Sequence, residues 1–211
     1  IFFAMYFSAM AIWGGGFLRW QRVFDMLNDN AALIIVACGL TIVMIGGGID
    51  ISVGGVIALV VMSCVVHLNS GGSIFTAALL AIGIGLCFGL VHGFLISYLE
   101  IQPFIITLAG MFFARGMTTI VSVEPQKVAH EGFQTLMSTK IEIPLLGYIA
   151  KNGNLIPARM EIGVVIALVI VAIVFVVLRW TRLGRSIYAV GGNNQSALML
   201  GVNVRRTRFC S

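Results

Sequence analysis

Apolar residues fall in long blocks along this chain: Ile1–Leu18, Ala31–Gly48, Ser52–Leu68, Ser73–Leu99, Phe104–Val123 and Glu161–Leu178. Several are about 17–25 residues long, the length a helix needs to cross the hydrocarbon core of a bilayer. They do not alternate polar and apolar positions as the strands of a membrane barrel do. A helix satisfies its own backbone hydrogen bonds in lipid, so helices are the expected spanning form. Blocks spread over the whole chain also exclude a cleaved signal peptide followed by a polar mature protein. The pattern predicts an all-α, polytopic (multi-pass) transmembrane protein with about six membrane segments, residues 1–211 forming one membrane domain.

The stretches between blocks predict the connections. Arg19 to Asn30 is polar and is expected to be a connector, with Asp29 or Asn30 capping the next helix. Ala31 to Leu68 as one straight helix would be about 57 Å long, nearly twice a bilayer core. It must therefore break, and the break falls in the glycine-rich 46–55 segment, where Asp50 and Ser52 can cap a new helix. Two forms remain open: a tight hairpin, or a discontinuous helix whose unwound backbone lines a protein-enclosed cavity. Asn69 to Gly72 predicts a turn. Gly83, Gly85, Gly89 and Gly93 are expected to let α-helices approach closely. Pro103 is placed to open a helix at its first turn. Residues 124–160 are polar, with acids and bases nearly balanced, and are expected to form an extracytoplasmic loop.

Composition agrees with a lipid environment. Hydrophobic residues make up 59% of the chain and charged residues 10%, against about 25% charged in a soluble domain. The net charge of +5 would suit nucleic acid, but its distribution does not. Six of the ten arginines lie between Arg179 and Arg208, the bias expected of a cytoplasmic segment, with Trp180 at the interface. Residues 181–208 are accordingly expected to be a cytoplasmic loop. Six crossings would place Arg19 and Arg22 outside, against that bias. Cys38, Cys64 and Cys87 sit inside apolar blocks without CxxC spacing and read as small buried hydrophobes. The chain opens without Met in an apolar run and closes at Cys210-Ser211, so both ends predict a fragment.

Few residues carry candidate chemistry. Asp50 is the one acid deep in an apolar run, where a charge costs at least ~2.5–3.5 kcal/mol. It is either a pore or gate element or a helix cap. Arg115 lines a path, pairs with Asp50, or snorkels to a headgroup. His92 suits a proton relay or a hydrogen bond to a neighbouring helix. Asn193 or Asn194, after a turn at Gly191-Gly192, can cap a short helix that Gly201 terminates. Such a helix is marginal alone, so Ala197, Leu198 and Leu200 need a surface. That surface is either a groove in a cytoplasmic partner or the membrane. GxxxxGK[ST], HExxH and GxSxG do not occur, so no ATP, zinc or serine-hydrolase chemistry is indicated by those routes.

Three segments are similar to a known family. Gly47-Gly48-Ile49-Asp50-Ile51-Ser52-Val53-Gly54 resembles the GGIDLSVG signature of the ribose-type monosaccharide ABC importer permeases. Pro103 to Phe113 with Arg115-Gly116 resembles the PxFIxTLxxM…RG segment. Thr181 to Gly201 resembles the TxxGRxxYAxGGNxxxAxxxGI cytoplasmic loop. Within that family the chain resembles the galactofuranose-type permease, chiefly through PFIITLAGMFF and the YAVGGN pattern. Departures are His92, where relatives often have Asn, Val202 for Ile, and the end at Arg208-Phe209-Cys210-Ser211.

The resemblance implies a half-pore, C-terminally truncated, of the bacterial inner membrane. It works with an ATP-binding-cassette ATPase subunit, a periplasmic sugar-binding protein and a second permease subunit, identical or not, moving a monosaccharide without a cofactor or metal. The implied path or helix-break residues are Gly47, Gly48, Asp50, Ser52, Gly54, Phe104, Thr107 and Arg115. The implied ATPase-coupling residues are Gly184, Arg185, Tyr188, Gly191, Gly192, Asn193, Ala197, Leu198 and Gly201. ATP would be hydrolysed by the partner, not by this chain. The rival reading is an ion-coupled secondary transporter, which also uses broken helices but needs acidic coupling residues, and only Asp50 lies deep.

Overall fold

A computed structural model of the chain describes Met5, Phe7, Ser8, Ile12, residues 20–149 and residues 155–211. Apart from those first four positions, the predicted Ile1–Leu18 segment lies outside the described residues, as does Arg19. The elements are α1 (Trp20–Ile45), α2 (Val53–Asn69), α3 (Ile74–Ser97), α4 (Pro103–Val121) and α5 (Glu131–Ser138). They continue with β1 (Lys140–Ile149), β2 (Leu155–Glu161), α6 (Ile162–Trp180), α7 (Arg182–Gly192), α8 (Asn194–Met199) and α9 (Val204–Cys210). Four of these helices, α1, α3, α4 and α6, are long and apolar enough to cross a membrane. The apolar α2, at 17 residues, is about 25 Å long and falls slightly short of a bilayer core.

The chain divides into two compact units. One comprises residues 1–35 and 136–170. Its core is Ala31, Val164 and Ala167, with Leu27, Ile34, Ile35 and Met160 packed around them. Here the expected connector at 19–30 is instead helix, and Asp29 and Asn30 cap nothing. The polar side chains have a different use. β1 and β2 pair antiparallel, with Glu142 opposite Arg159 and Lys140 opposite Glu161. The outer edge of β2 would leave amide groups without a partner. The Arg159 amide donates to Gln21 Oε1 at 2.7 Å, and the Glu161 amide donates to Asn28 Oδ1 at 3.0 Å. Polar residues on one face of α1 thus complete the hairpin's hydrogen bonding. The ion pairs Arg159–Glu142 (3.2 Å) and Lys140–Glu161 (3.8 Å) sit on exposed faces and contribute at most ~1 kcal/mol each.

The second unit comprises residues 36–135 and 171–211. Its centre is the crossing of α2 over α4, where Gly55 lies against the Met111 backbone: a Cβ on Gly55 would stand 2.8 Å from the Met111 carbonyl oxygen. Leu59, Val65 and Leu68 of α2 and Thr107, Gly110 and Ala114 of α4 are buried. Ser73 caps α3 by accepting from the Thr76 amide. Pro103 opens α4 as predicted. Asn69 holds the chain after α4, donating to Lys127 O at 2.8 Å and accepting from the Ala129 amide at 2.9 Å.

The region expected to be one loop, 124–160, is therefore structured, with α5 and the hairpin in it. The glycine run of α3 also differs from expectation. Gly83, Gly85 and Gly89 have no neighbour within 4 Å of a Cβ position, and only Gly93 is closely approached, by Phe209 of α9 at 3.3 Å. Among the described residues the four cysteines are free, and Cys87 is exposed rather than buried.

Candidate functional site

The break in the 31–68 stretch lies between α1 and α2. α1 ends at Ile45, and Gly46 and Gly47 turn the chain, Gly47 at φ +79°. That left-handed conformation strains any residue with a Cβ. Asp50 then organises the start of α2. Its Oδ1 accepts from the Ser52 amide at 2.8 Å and the Ser52 hydroxyl at 2.6 Å. Ser52 itself is buried and makes no side-chain cap. The cap is thus the Asp50 carboxylate, one of the two roles expected for it. On the other side, the Thr107 hydroxyl of α4, fully enclosed, lies 3.0 Å from Pro103 O and 3.4 Å from Ile49 O.

Around this break the second unit forms a half-open cavity of about 680 Å³, within the range of small-molecule sites. Its walls are the end of α1, the 46–53 segment, the start of α2, the glycine face of α3, Pro103 and Thr107 of α4, and Arg208–Ser211. Most of the lining is apolar; Asp50, Ser52, His92, Thr107, Arg208 and Ser211 supply side-chain polar groups. Gly85 and Gly89 leave room for the cavity rather than for another helix. The His92 ring covers Gly110 of α4, where a Cβ would overlap the imidazole, and meets Phe88 edge-on at 5.7 Å. Among the described residues no hydrogen bond joins His92 to a neighbouring helix, so the contact is packing instead.

The sequence-predicted path residues divide accordingly. Gly47, Gly48, Asp50, Ser52 and Thr107 line the cavity. Gly54, Phe104 and Arg115 do not: they are exposed, and Arg115 forms no ion pair with Asp50. In this glycine run the close helix contact is made by Gly55, which meets the Met111 backbone, whereas the Cβ position of Gly54 is open.

The segment after α6 holds three short helices, among them the one expected after Asn193. Thr181 caps α7, accepting from the Gly184 amide at 3.1 Å. A Cβ on Gly184 would overlap the Leu178 and Val177 carbonyl oxygens, so the tight return of the chain requires glycine. α7 buries Gly184, Ile187 and Val190 and exposes Arg185 and Tyr188, an amphipathic pattern at helical spacing. Gly191 and Gly192 form its last turn instead of a separate one. Asn193 caps α8, accepting from the Ser196 amide at 2.9 Å, and Gly201 follows α8 at φ +77°. Ala197 is buried, whereas Leu198, Met199 and Leu200 are 60%, 90% and 79% exposed. No group of three or more potential metal ligands occurs among the described residues.

Gly191 also meets the break. A Cβ on it would overlap the Ile45 carbonyl oxygen, with Ile45 C at 2.9 Å and Gly46 C at 3.3 Å, and Gly47 lies against the Gly191 Cα. No sequence signal announces that contact.

The helix break thus lies beside a cavity, and a basic amphipathic segment follows α6. Residues 22–211 match the family described as branched-chain amino acid transport system / permease component. The chain belongs to that permease family. Among its relatives, the fructose import permease protein FruG of Bifidobacterium longum is 35% identical over 99% of this chain. The inner membrane ABC transporter permease protein YjfF of Escherichia coli is 40% identical over 91%. The galactofuranose transporter permease protein YtfT of Escherichia coli is 32% identical over 86%. The family is shared with a ribose-type monosaccharide importer group, as the sequence motifs indicated. This chain spans 60%, 55% and 49% of the lengths of those three proteins. No solved structure matches it.

Proposed function

We propose that this chain is the membrane-spanning subunit of an ATP-binding-cassette importer that moves a monosaccharide across a bacterial inner membrane. The observation that carries the reading is the exposed apolar tip of α8. Three consecutive large apolar residues, Leu198, Met199 and Leu200, stand outside the packed chain on a helix that Asn193 fixes in place. They follow α6 in the arginine-rich segment, which the charge bias assigns to the cytoplasm. A short helix so exposed is suited to a groove in a cytoplasmic partner. The relatives' names supply the partner class, an ATP-driven importer, and the substrate class, a sugar.

In this reading a sugar-binding protein delivers the monosaccharide to a pair of permease subunits. A separate ATPase dimer closes on ATP and displaces α7 and α8, switching access between the two sides. Residues 124–160 face the outside and residues 181–208 the ATPase. Gly47, Gly48, Asp50, Ser52 and Thr107 form a capped, hydrogen-bonded break beside the path. Lipid surrounds the apolar outer faces of the helices.

The test uses the full-length permease reconstituted with its ATPase and binding protein in proteoliposomes, with a panel of radiolabelled hexoses and pentoses. Asn193→Ala combined with Leu198→Glu is expected to abolish uptake while the ATPase still hydrolyses ATP. Normal uptake by that variant would refute the docking role. Uptake that persists without any ATPase and follows an ion gradient would instead favour the secondary transporter.

A further inference from the structure

We infer that Gly191 is a positioning residue that passes movement of the α7–α8 segment directly to the helix break, by backbone-to-backbone contact. The inference rests on the proposal that α8 docks on an ATPase. Four observations lead to it. First, the contact has no compliance. Gly191 touches the Ile45 carbonyl and Gly46 without any intervening side chain, and even one methyl group would not fit. Side chains at a contact can change rotamer and absorb a displacement, whereas abutting backbone cannot.

Second, Gly191 is rigidly joined to the docking helix. It belongs to the last turn of α7, and α8 starts three residues later, capped by Asn193. Ile187 and Val190 are buried, so α7 cannot rotate freely beneath it. Third, the receiving side is a single turn with little freedom of its own. Gly47 lies against Gly191 at positive φ, and Gly48 is packed on Val43.

Fourth, the far side of that turn is tied down. The Asp50 carboxylate holds Ser52 at the start of α2, and the buried Thr107 side chain of α4, whose hydroxyl donates to Pro103 O, packs 3.4 Å from Ile49 O. A push on Ile45–Gly47 therefore reaches α2 and α4 instead of dissipating in a loop. The same residues wall the cavity, so its shape responds to α8. Such a joint has the physical warrant that a line of intermediate residues lacks: one element contacted by both sites, whose arrangement each can bias.

The experiment is hydrogen exchange on the full-length complex in nanodiscs, free and trapped with ADP–vanadate. In the native protein, trapping is expected to change exchange at 194–200 and, together with it, at 46–52 by about threefold or more. In Gly191→Ala the response at 194–200 should persist while that at 46–52 falls to the free level. Gly83→Ala, at an open position away from the joint, should leave both responses in place. A native complex that responds at 194–200 but not at 46–52 overturns the inference and leaves docking standing. A native complex that responds at neither overturns both. Should Gly191→Ala fail to assemble, the native measurement alone still decides.

Discussion

The Asp50 carboxylate can be tested as a cap separately from its charge. Its Oδ1 accepts from the Ser52 amide at 2.8 Å and the Ser52 hydroxyl at 2.6 Å, and Ser52 is buried. Hydrogen bonds to a charged acceptor contribute about 1.5–3 kcal/mol each, and a buried donor left without one costs about 1–3 kcal/mol. Asp50 itself is half-buried, so water can reach the vacated site and soften the loss. Asp50→Ala is thus expected to destabilise by about 2–4 kcal/mol, a fall in melting midpoint of about 5–15 °C for a chain of this size.

Asp50→Asn keeps an oxygen acceptor in the same place and removes only the charge. It should melt within a few degrees of the native protein and retain most uptake. The assays are thermal unfolding in detergent, followed by tryptophan fluorescence, and sugar uptake in proteoliposomes. An Asp50→Ala protein with the native midpoint would show that the cap is not holding α2. A stable Asp50→Asn protein without uptake would show that the charge itself acts in the cavity, and the capping argument would not explain the residue.

Other outcomes follow from the packing. Gly55→Ala places a methyl group 2.8 Å from the Met111 carbonyl oxygen and should cost about 1–3 kcal/mol by overpacking, whereas Gly54→Ala, at an open position, should leave the midpoint unchanged or slightly raised. His92→Asn should transport as well as the native protein at both pH 6 and pH 8, since the ring packs over Gly110 without a hydrogen-bond partner among the described residues; a folded variant without uptake at either pH would restore the proton-relay reading.

The sequence determined the medium and the order of the helices. Apolar blocks of bilayer length need no tertiary information, because each helix closes its own backbone hydrogen bonds. The break at Gly46–Gly55 was equally legible, since no single helix of about 57 Å fits a membrane. So was the Asn193 cap, whose hydrogen bond spans only three residues. The hairpin of β1 and β2 was not read from the sequence, which placed a loop there; its strands pair across a stretch of chain that periodicity does not connect.

What the fold alone decided is every contact across long stretches of sequence. Gln21 and Asn28 looked like connector residues until the edge of β2 gave them amides to accept from. Gly54 and Gly55 are neighbours of one type, yet only Gly55 faces α4, because about 100° of helix rotation separates them. Gly191 looked like half of a turn, and only its meeting with Ile45 gives it a mechanical role. Glycine records in sequence that a side chain is absent; which backbone fills that space is set by how the helices pack.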